Sequence, residues 1–362
     1  MSDHQRPSSR NDFDIALVCA LPREYDAVLL TLDEPWDKDG DTYGRAQGDR
    51  NEYATGRIGK FNVVVCLIGV GKRNSTGAAA SLRSSWPNVT LTLLVGICAG
   101  VNSVGEQQMR IGDVIISTAV VQHDFGRQLD DGFIRKDTPD SEIGPVPKHI
   151  YNLLYKLGTE EGKKRLNSKT CSVLDQLQRK ASPEDKYKGP QQAQQAATAE
   201  VQSPTIHFGV VASGDQVIRS QRHRDDIVEE TGAISLEMEG AGTSHELPCL
   251  VVKAVCDFGD RNKNKDWQDY ASATAAAVSR AILESYTRTD KPSDAAPQLP
   301  TATQDGDTYS EKVDGQQGVI QGTRMTVAST QPPRNYHQKG SKFEAEVKAK
   351  GDIRQGNEMS FT

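Results

Sequence analysis

The 362-residue chain has no long apolar run, no CxxC pair and no excess of positive charge. Each absence removes a class of function. No window reaches the roughly eighteen apolar residues of a membrane-crossing helix. Residues 1–12 are polar and offer no signal-peptide core, so the chain reads as a soluble, cytoplasmic protein with no membrane segment. A net charge of −6 gives no electrostatic footprint for nucleic acid. The cysteines Cys19, Cys66, Cys98, Cys171, Cys249 and Cys256 stand singly, four inside apolar runs and Cys249 beside one. That suits buried free thiols in a reducing compartment, not a disulfide frame or a zinc site. The seven histidines are scattered, with no HxxxH pair and no clustered acids. Neither a metal nor a cofactor is expected.

What is present is alternation. Residues 15–20, 61–68, 89–95, 113–121, 207–212 and 249–255 are short, β-rich, apolar runs, as in strands buried on both faces. Helical patterns over 23–30, 75–85, 148–157, 237–245 and 271–286 fall between them. The expected fold is α/β: one three-layer domain, a mixed central sheet flanked by helices, over residues 12–288. Residues 1–11 read as a disordered start. Residues 159–204, rich in Lys, Gln, Ser and Ala, read as a flexible insertion, either a surface excursion or a lid. A linker rich in Pro, Asp, Thr and Gln is expected over 289–308, followed by a tail over 309–362.

The chemistry-bearing residues lie at strand ends. Glu237-Met238-Glu239 closes one apolar run and Cys256-Asp257 closes the next. Converging carboxylates can grip a sugar and protonate its leaving group. Cleavage of a purine N-glycosidic bond needs a proton for the base, a grip on a ribose that becomes cationic, and an activated nucleophile opposite. Asp257 suits the acid, Glu239 the ribose hydroxyls, Met238 the apolar sugar face, and Glu24, just past the first strand, the water.

At these residues the chain resembles the nucleoside phosphorylase and nucleosidase superfamily. It looks most like the branch with methylthioadenosine/S-adenosylhomocysteine nucleosidases and the fungal nucleosidase-like domains found with NOD-like receptors. The motifs are 15-IALVCALPRE-24, Gly69-Val70-Gly71-Lys72, Gly96-Ile97-Cys98-Ala99-Gly100-Val101, Ile111-Gly112-Asp113-Val114, Ala212-Ser213-Gly214-Asp215, Glu237-Met238-Glu239 and Cys256-Asp257, in that order. The resemblance implies a nucleoside phosphorylase-like fold. It implies Glu24 as water activator, Met238 and Glu239 as ribose contacts, and Asp257 as the residue that protonates and holds an adenine. The loops with Gly71, Cys98, Ala99 and Gly100 would line the ribose and nucleophile side. Three positions depart from the pattern: Ile97 replaces a Ser near the attacking water, Val217 replaces a base-stacking aromatic, and Cys256 replaces a Ser. Phe125, Phe208 and Phe258 are candidate replacements for the ring. No arginine set matches a phosphate clamp, which favours hydrolysis over phosphorolysis.

Other residues keep two readings. Lys72-Arg73-Asn74-Ser75 suits a substrate phosphate, as in AMP or ATP, or is a surface basic pair beside a helix cap. His123-Asp124 is an acid/base pair or a loop pair on the rim. Asp215 lies near the base or braces the Ser213-Gly214 loop. Glu237 contacts substrate or serves the fold.

The tail repeats itself at an offset of 34 residues, over 309–326 and 343–360. Tyr309 matches Phe343, Val313 matches Val347, Val319 matches Ile353, Gln321-Gly322 matches Gln355-Gly356 and Met325 matches Met359. Paired repeats of this kind resemble HET-s-type amyloid signalling motifs, which implies templating by a receptor partner; a disordered tail is the alternative. The expected activity is hydrolysis of an adenine nucleoside or nucleotide by a homo-oligomer, in a fungal cell-death or defence setting. A phosphorylase and a non-enzymatic nucleotide-sensing adaptor are the competing readings.

Overall fold

The computed structural model describes residues 6–37, 40–130, 132–136, 146–183, 186–189 and 204–287, with short strands between 302 and 361. The chain forms two units, 1–288 and 289–362.

In the first unit the strands of the main sheet are β1 (Ile15–Cys19), β2 (Glu34–Pro35), β3 (Tyr53–Ile58), β4 (Phe61–Leu67), β5 (Leu91–Gly100), β6 (Val114–Gln122), β7 (Ile206–Ser213), β8 (Ala233–Glu237) and β9 (Cys249–Asp257). The helices are α1 (Pro22–Leu29), α2 (Lys72–Ser85), α3 (Lys148–Leu157), α4 (Glu160–Lys180), α5 (Gln221–Thr231), α6 (Gly240–Glu246) and α7 (Gln268–Ser285). The nine strands make one sheet in the order β8-β7-β6-β9-β5-β1-β4-β3-β2. It is mixed: β1 runs parallel to β4 and β5, and β9 parallel to β5, but β9 is antiparallel to β6. β8 also pairs antiparallel with the end of β5, Ser235 opposite Gly100 and Leu236 opposite Ala99. That extra pairing closes five strands into a ring and draws the ends of β5, β8 and β9 together.

Side-chain alternation explains why the strands read as continuous apolar runs. Ile15, Leu17 and Cys19 enter one core, Ala16 and Val18 the other. On β9, Leu250, Val252 and Ala254 join the first core, Val251 and Val255 the second. Each strand is covered on both faces, so both parities must be apolar. Residues of α1, α3, α4 and α7 line the first core, and residues of α2 the second.

Two expected boundaries need correction. The insertion is not flexible over its first half. α4 is capped by the Thr159 hydroxyl, which accepts from Gly162 N, and buries Leu166, Val173, Leu174 and Leu177. With the buried Thr170 those positions fall at i, i+4, i+7, i+8 and i+11 and make one stripe among the lysines and glutamines. Residues 190–203 lie outside the described residues. The start is ordered from Arg6, which donates to Thr42 Oγ1 at 2.9 Å, and Ser9 and Asp12 form a capping box around a short 3₁₀ turn.

In the second unit, five strand pairs run parallel, and every pair has the same 34-residue offset. Ala302 lies opposite Tyr336, Thr308 opposite Lys342, Val313 opposite Val347, Val319 opposite Ile353 and Arg324 opposite Glu358. The first two pairs begin inside the segment expected to be linker.

Candidate active site

A cavity of about 220 Å³ opens at the carboxyl ends of β1, β5, β8 and β9. That is where open α/β sheets place their ligands. Glu24, Glu237 and Glu239 line it and are buried, with the buried Lys253 behind Glu237 and Glu239.

Glu24 sits in the first turn of α1, where Pro22 starts the helix and Leu21 has no capping side chain. Its carboxylate does the capping instead. Oε2 accepts from Ala20 N and Leu21 N, both at 2.9 Å, and Oε1 accepts from Ile97 N at 2.8 Å. A Cβ on Gly96 would stand 2.2 Å from Oε1, so glycine there is what admits the carboxylate. Burial pushes the Glu24 carboxyl above its ordinary pKa, and Glu239 adds to this; Lys253 and the backbone donors pull the other way.

Glu239 is held from two sides. Gly71 N donates to Oε1 at 3.1 Å, and Lys253 Nζ to Oε2 at 3.0 Å. Lys253 lies mid-strand on β9, 1% exposed. Burial opposes its charge, yet Glu239, Glu24 and Glu237 outweigh that and hold the ammonium well above its ordinary pKa. One cation thus pairs with Glu239, lies 3.9 Å from Glu237 and acts on Glu24 through its field. The sequence carried a signal for it: a lone lysine inside the apolar run 249–255 has no reason to be there unless paired.

Glu237 lines the cavity but spends its carboxylate on the fold. It accepts from Glu239 N at 3.0 Å and Gly240 N at 2.9 Å, at the start of α6. Burial raises its pKa, against the pull of Lys253. Ser213 Oγ accepts from Ala241 N at 2.9 Å. Met238 lines the cavity, with Cys98, Ala99, Ile97 and Val217. Gly100 does not line it; a Cβ there would meet Met109 Sδ at 2.6 Å.

Lys72 and Arg73 stand apart from the cavity, and neither lines it. Two of the N–H groups that begin α2 have carboxylates, Glu239 on Gly71 N and Asp215 on Lys72 N at 2.6 Å. Lys72 Nζ donates to Gln122 Oε1 at 2.6 Å, and Arg73 is exposed. Asp215 is therefore a brace. Its own N–H donates to Asp124 Oδ2 at 2.7 Å. Asp124 also accepts from Gln122 Nε2 at 2.8 Å, contacts of the kind the loop-pair reading of His123-Asp124 expects. His123 lines the cavity, with burial holding its imidazole below its ordinary pKa. It contributes the one ring among the lining residues. Phe208 and Phe258 pack into the two cores, and Phe125 is exposed.

At the far end, Asp257 is 5% exposed. Oδ1 accepts from Gly259 N at 2.9 Å, Oδ2 accepts from Cys256 Sγ at 3.2 Å, and Lys263 Nζ lies 3.0 Å from Oδ2. Lys263 lines the cavity. It stands in a polar loop, which offers no sequence signal to mark it. Among the described residues, no group of three His, Cys, Asp or Glu side chains could hold a metal ion, and no helix is long and apolar enough to cross a membrane.

Comparison with known proteins agrees with this geometry. Residues 14–286 match the family model of the Phosphorylase superfamily. A nucleotide-binding leucine-rich repeat (NLR)-like protein of Hyaloscypha variabilis is 29% identical over 77% of this chain; the chain spans 30% of that relative's length. A 5′-methylthioadenosine/S-adenosylhomocysteine nucleosidase of Mycobacterium bovis is 25% identical, covering 74% of this chain and 95% of its own. An ATP nucleosidase, Cap17, of Escherichia coli is 26% identical over 61% of this chain and 41% of its own. Among solved structures, S-adenosylhomocysteine nucleosidase of Streptococcus pyogenes shares the fold at a TM-score of 0.52 and 19% identity, over 76% of this chain and 98% of its own.

Proposed function

The chain belongs to the phosphorylase superfamily, and on that premise we propose that it is a purine N-ribosyl hydrolase acting on an adenine nucleoside or nucleotide. The observation that carries the reading is the shared floor of Glu24, Glu239 and Lys253. Three backbone donors fix Glu24, and burial raises its carboxyl above the ordinary value, which makes it a stronger base than an exposed glutamate. Glu239, held by Lys253 and Gly71 N, keeps lone pairs for two ribose hydroxyls. Met238 lies against the sugar. As the glycosidic bond breaks, these carboxylates stabilise the cationic ribose, and Glu24 takes the proton of the attacking water. The base leaves with a proton from the Asp257 end of the cavity. Hydrolysis is favoured over phosphorolysis because the cations near the sugar, Lys253 and Lys72, are already bound to protein groups.

The test is incubation of purified protein with methylthioadenosine, adenosine, AMP and ATP, with and without phosphate. Free adenine should appear from at least one of them without phosphate. Silence on all four sinks the reading, and strict phosphate dependence makes the chain a phosphorylase. Cation placement favours a neutral 5′ group over a phosphate.

A second reading concerns the tail. Strand pairing at one constant offset leaves each repeat with an outer edge equivalent to its partner's, so a further copy can add in the same register. On this proposal the tail is a templated assembly module for a receptor partner. A tail peptide should give cross-β reflections near 4.7 Å. A peptide that stays monomeric overturns it.

A further inference from the structure

We infer that Lys72, Gln122, Asp124 and Asp215 form a latch that positions the ribose grip of Glu239, although none of the four lines the cavity. The inference deepens the hydrolase reading above and rests on it.

The four residues close a ring of hydrogen bonds. Lys72 Nζ donates to Gln122 Oε1 at 2.6 Å, and Gln122 Nε2 donates to Asp124 Oδ1 at 2.8 Å. Asp215 N donates to Asp124 Oδ2 at 2.7 Å, and Lys72 N donates to Asp215 Oδ1 at 2.6 Å. The ring has one sense. A lysine only donates and a carboxylate only accepts, so the Gln122 amide turns its oxygen to Lys72 and its nitrogen to Asp124. Gln122 is 8% exposed, and a buried amide left unpaired at either end is destabilising.

The ring joins segments far apart in sequence: 69–72 before α2, 122–124 at the end of β6, and 213–217 at the end of β7. Each supplies cavity wall, through Val70, through His123, and through Gln216 with Val217. Gly71 N donates to Glu239 Oε1 at 3.1 Å, and the next N–H, that of Lys72, belongs to the ring. Two successive N–H groups thus hold the latch and the ribose-gripping carboxylate. Gly71 adopts φ +96°, and a Cβ there would stand 3.1 Å from Asp215 Oδ1, so glycine admits this approach. Opening the ring frees the 69–72 turn, and Gly71 N leaves Glu239. Lys253 still holds Oε2, so Glu239 keeps its cation and loses its alignment to the sugar hydroxyls.

Gln122→Met opens the ring at two edges and Asp215→Ala at one; Asp215 is exposed, so the second change leaves the core untouched. Binding is measured by calorimetry with a 9-deaza-adenine riboside, whose C–C link to the sugar is not hydrolysed, and with its 2′,3′-dideoxy form. Wild type should bind the riboside more tightly. Each variant should lose about 10-fold on the riboside and keep the dideoxy affinity, because only the riboside carries the hydroxyls that Glu239 holds. Equal losses on both ligands give the ring a general structural role and overturn the inference. Unchanged riboside affinity in the variants overturns it too, since Glu239 then needs no latch. Wild type that binds both ligands alike, or neither, defeats the functional reading, and the inference falls with it.

Discussion

At the scale of residues, the site depends on one glycine and one lysine as much as on its acids. Gly96 leaves room for Glu24, where a Cβ would sit 2.2 Å from Oε1. Gly96→Ala should therefore displace the carboxylate and lower kcat/KM by about 100-fold, measured by adenine release, while circular dichroism stays unchanged. Lys253 lowers the pKa of Glu24, which burial has raised above 4.5. Glu24 must be ionised to take a proton, so activity should fall as pH drops through its raised value. Lys253→Met removes the lowering influence and should move that acid limb to higher pH. The same change strands three buried carboxylates and should cost about 3–5 kcal/mol in urea unfolding. An unmoved limb would remove Glu24 from the role of base. Glu24, Glu239 and Asp257 were legible because each ends or follows an apolar run. Lys263 was not, since a lysine in a polar loop looks like any other until folding sets it 3.0 Å from Asp257.

At the scale of elements, α2 and α6 form one device. A Cβ on Gly242 would meet Ser75 Oγ at 2.1 Å and Lys72 O at 2.7 Å, so the two helices touch through backbone. The start of α2 carries Gly71 N, which holds Glu239. Gly242→Ala should push the helices apart, cost about 1–3 kcal/mol by denaturant titration and raise KM through a misplaced Glu239. Strands were readable because both parities are apolar, which only a doubly covered sheet requires. α4 was not, because its apolar stripe of Leu166, Val173, Leu174 and Leu177 is spread thinly among charged residues. The two readings of Lys72-Arg73 could not be parted in the sequence for a related reason. A basic pair at a helix start looks the same whether a ligand or, as here, the Gln122 amide takes the lysine and distant carboxylates take the backbone N–H groups beside it.

For the whole molecule, the chain divides into a nucleosidase-like unit, 1–288, and a repeat-bearing unit, 289–362. A protein ending at Arg288 should keep the melting temperature and kcat of the full chain's first unit; loss of either would show that the tail supports the site. The repeat period is legible from paired residues such as Val313 and Val347, whereas the strand ring that gathers the site is not. Closure by Ser235 and Leu236 against Gly100 and Ala99 pairs distant segments in antiparallel sense, and no local pattern announces it. The central claim is that water, activated by Glu24, replaces the base at C1′. Single-turnover cleavage in water labelled with heavy oxygen, in phosphate-free buffer, tests it most directly. The account predicts free adenine and ribose carrying the label at C1. Unlabelled or phosphorylated ribose, or no cleavage of any adenine substrate, would contradict it.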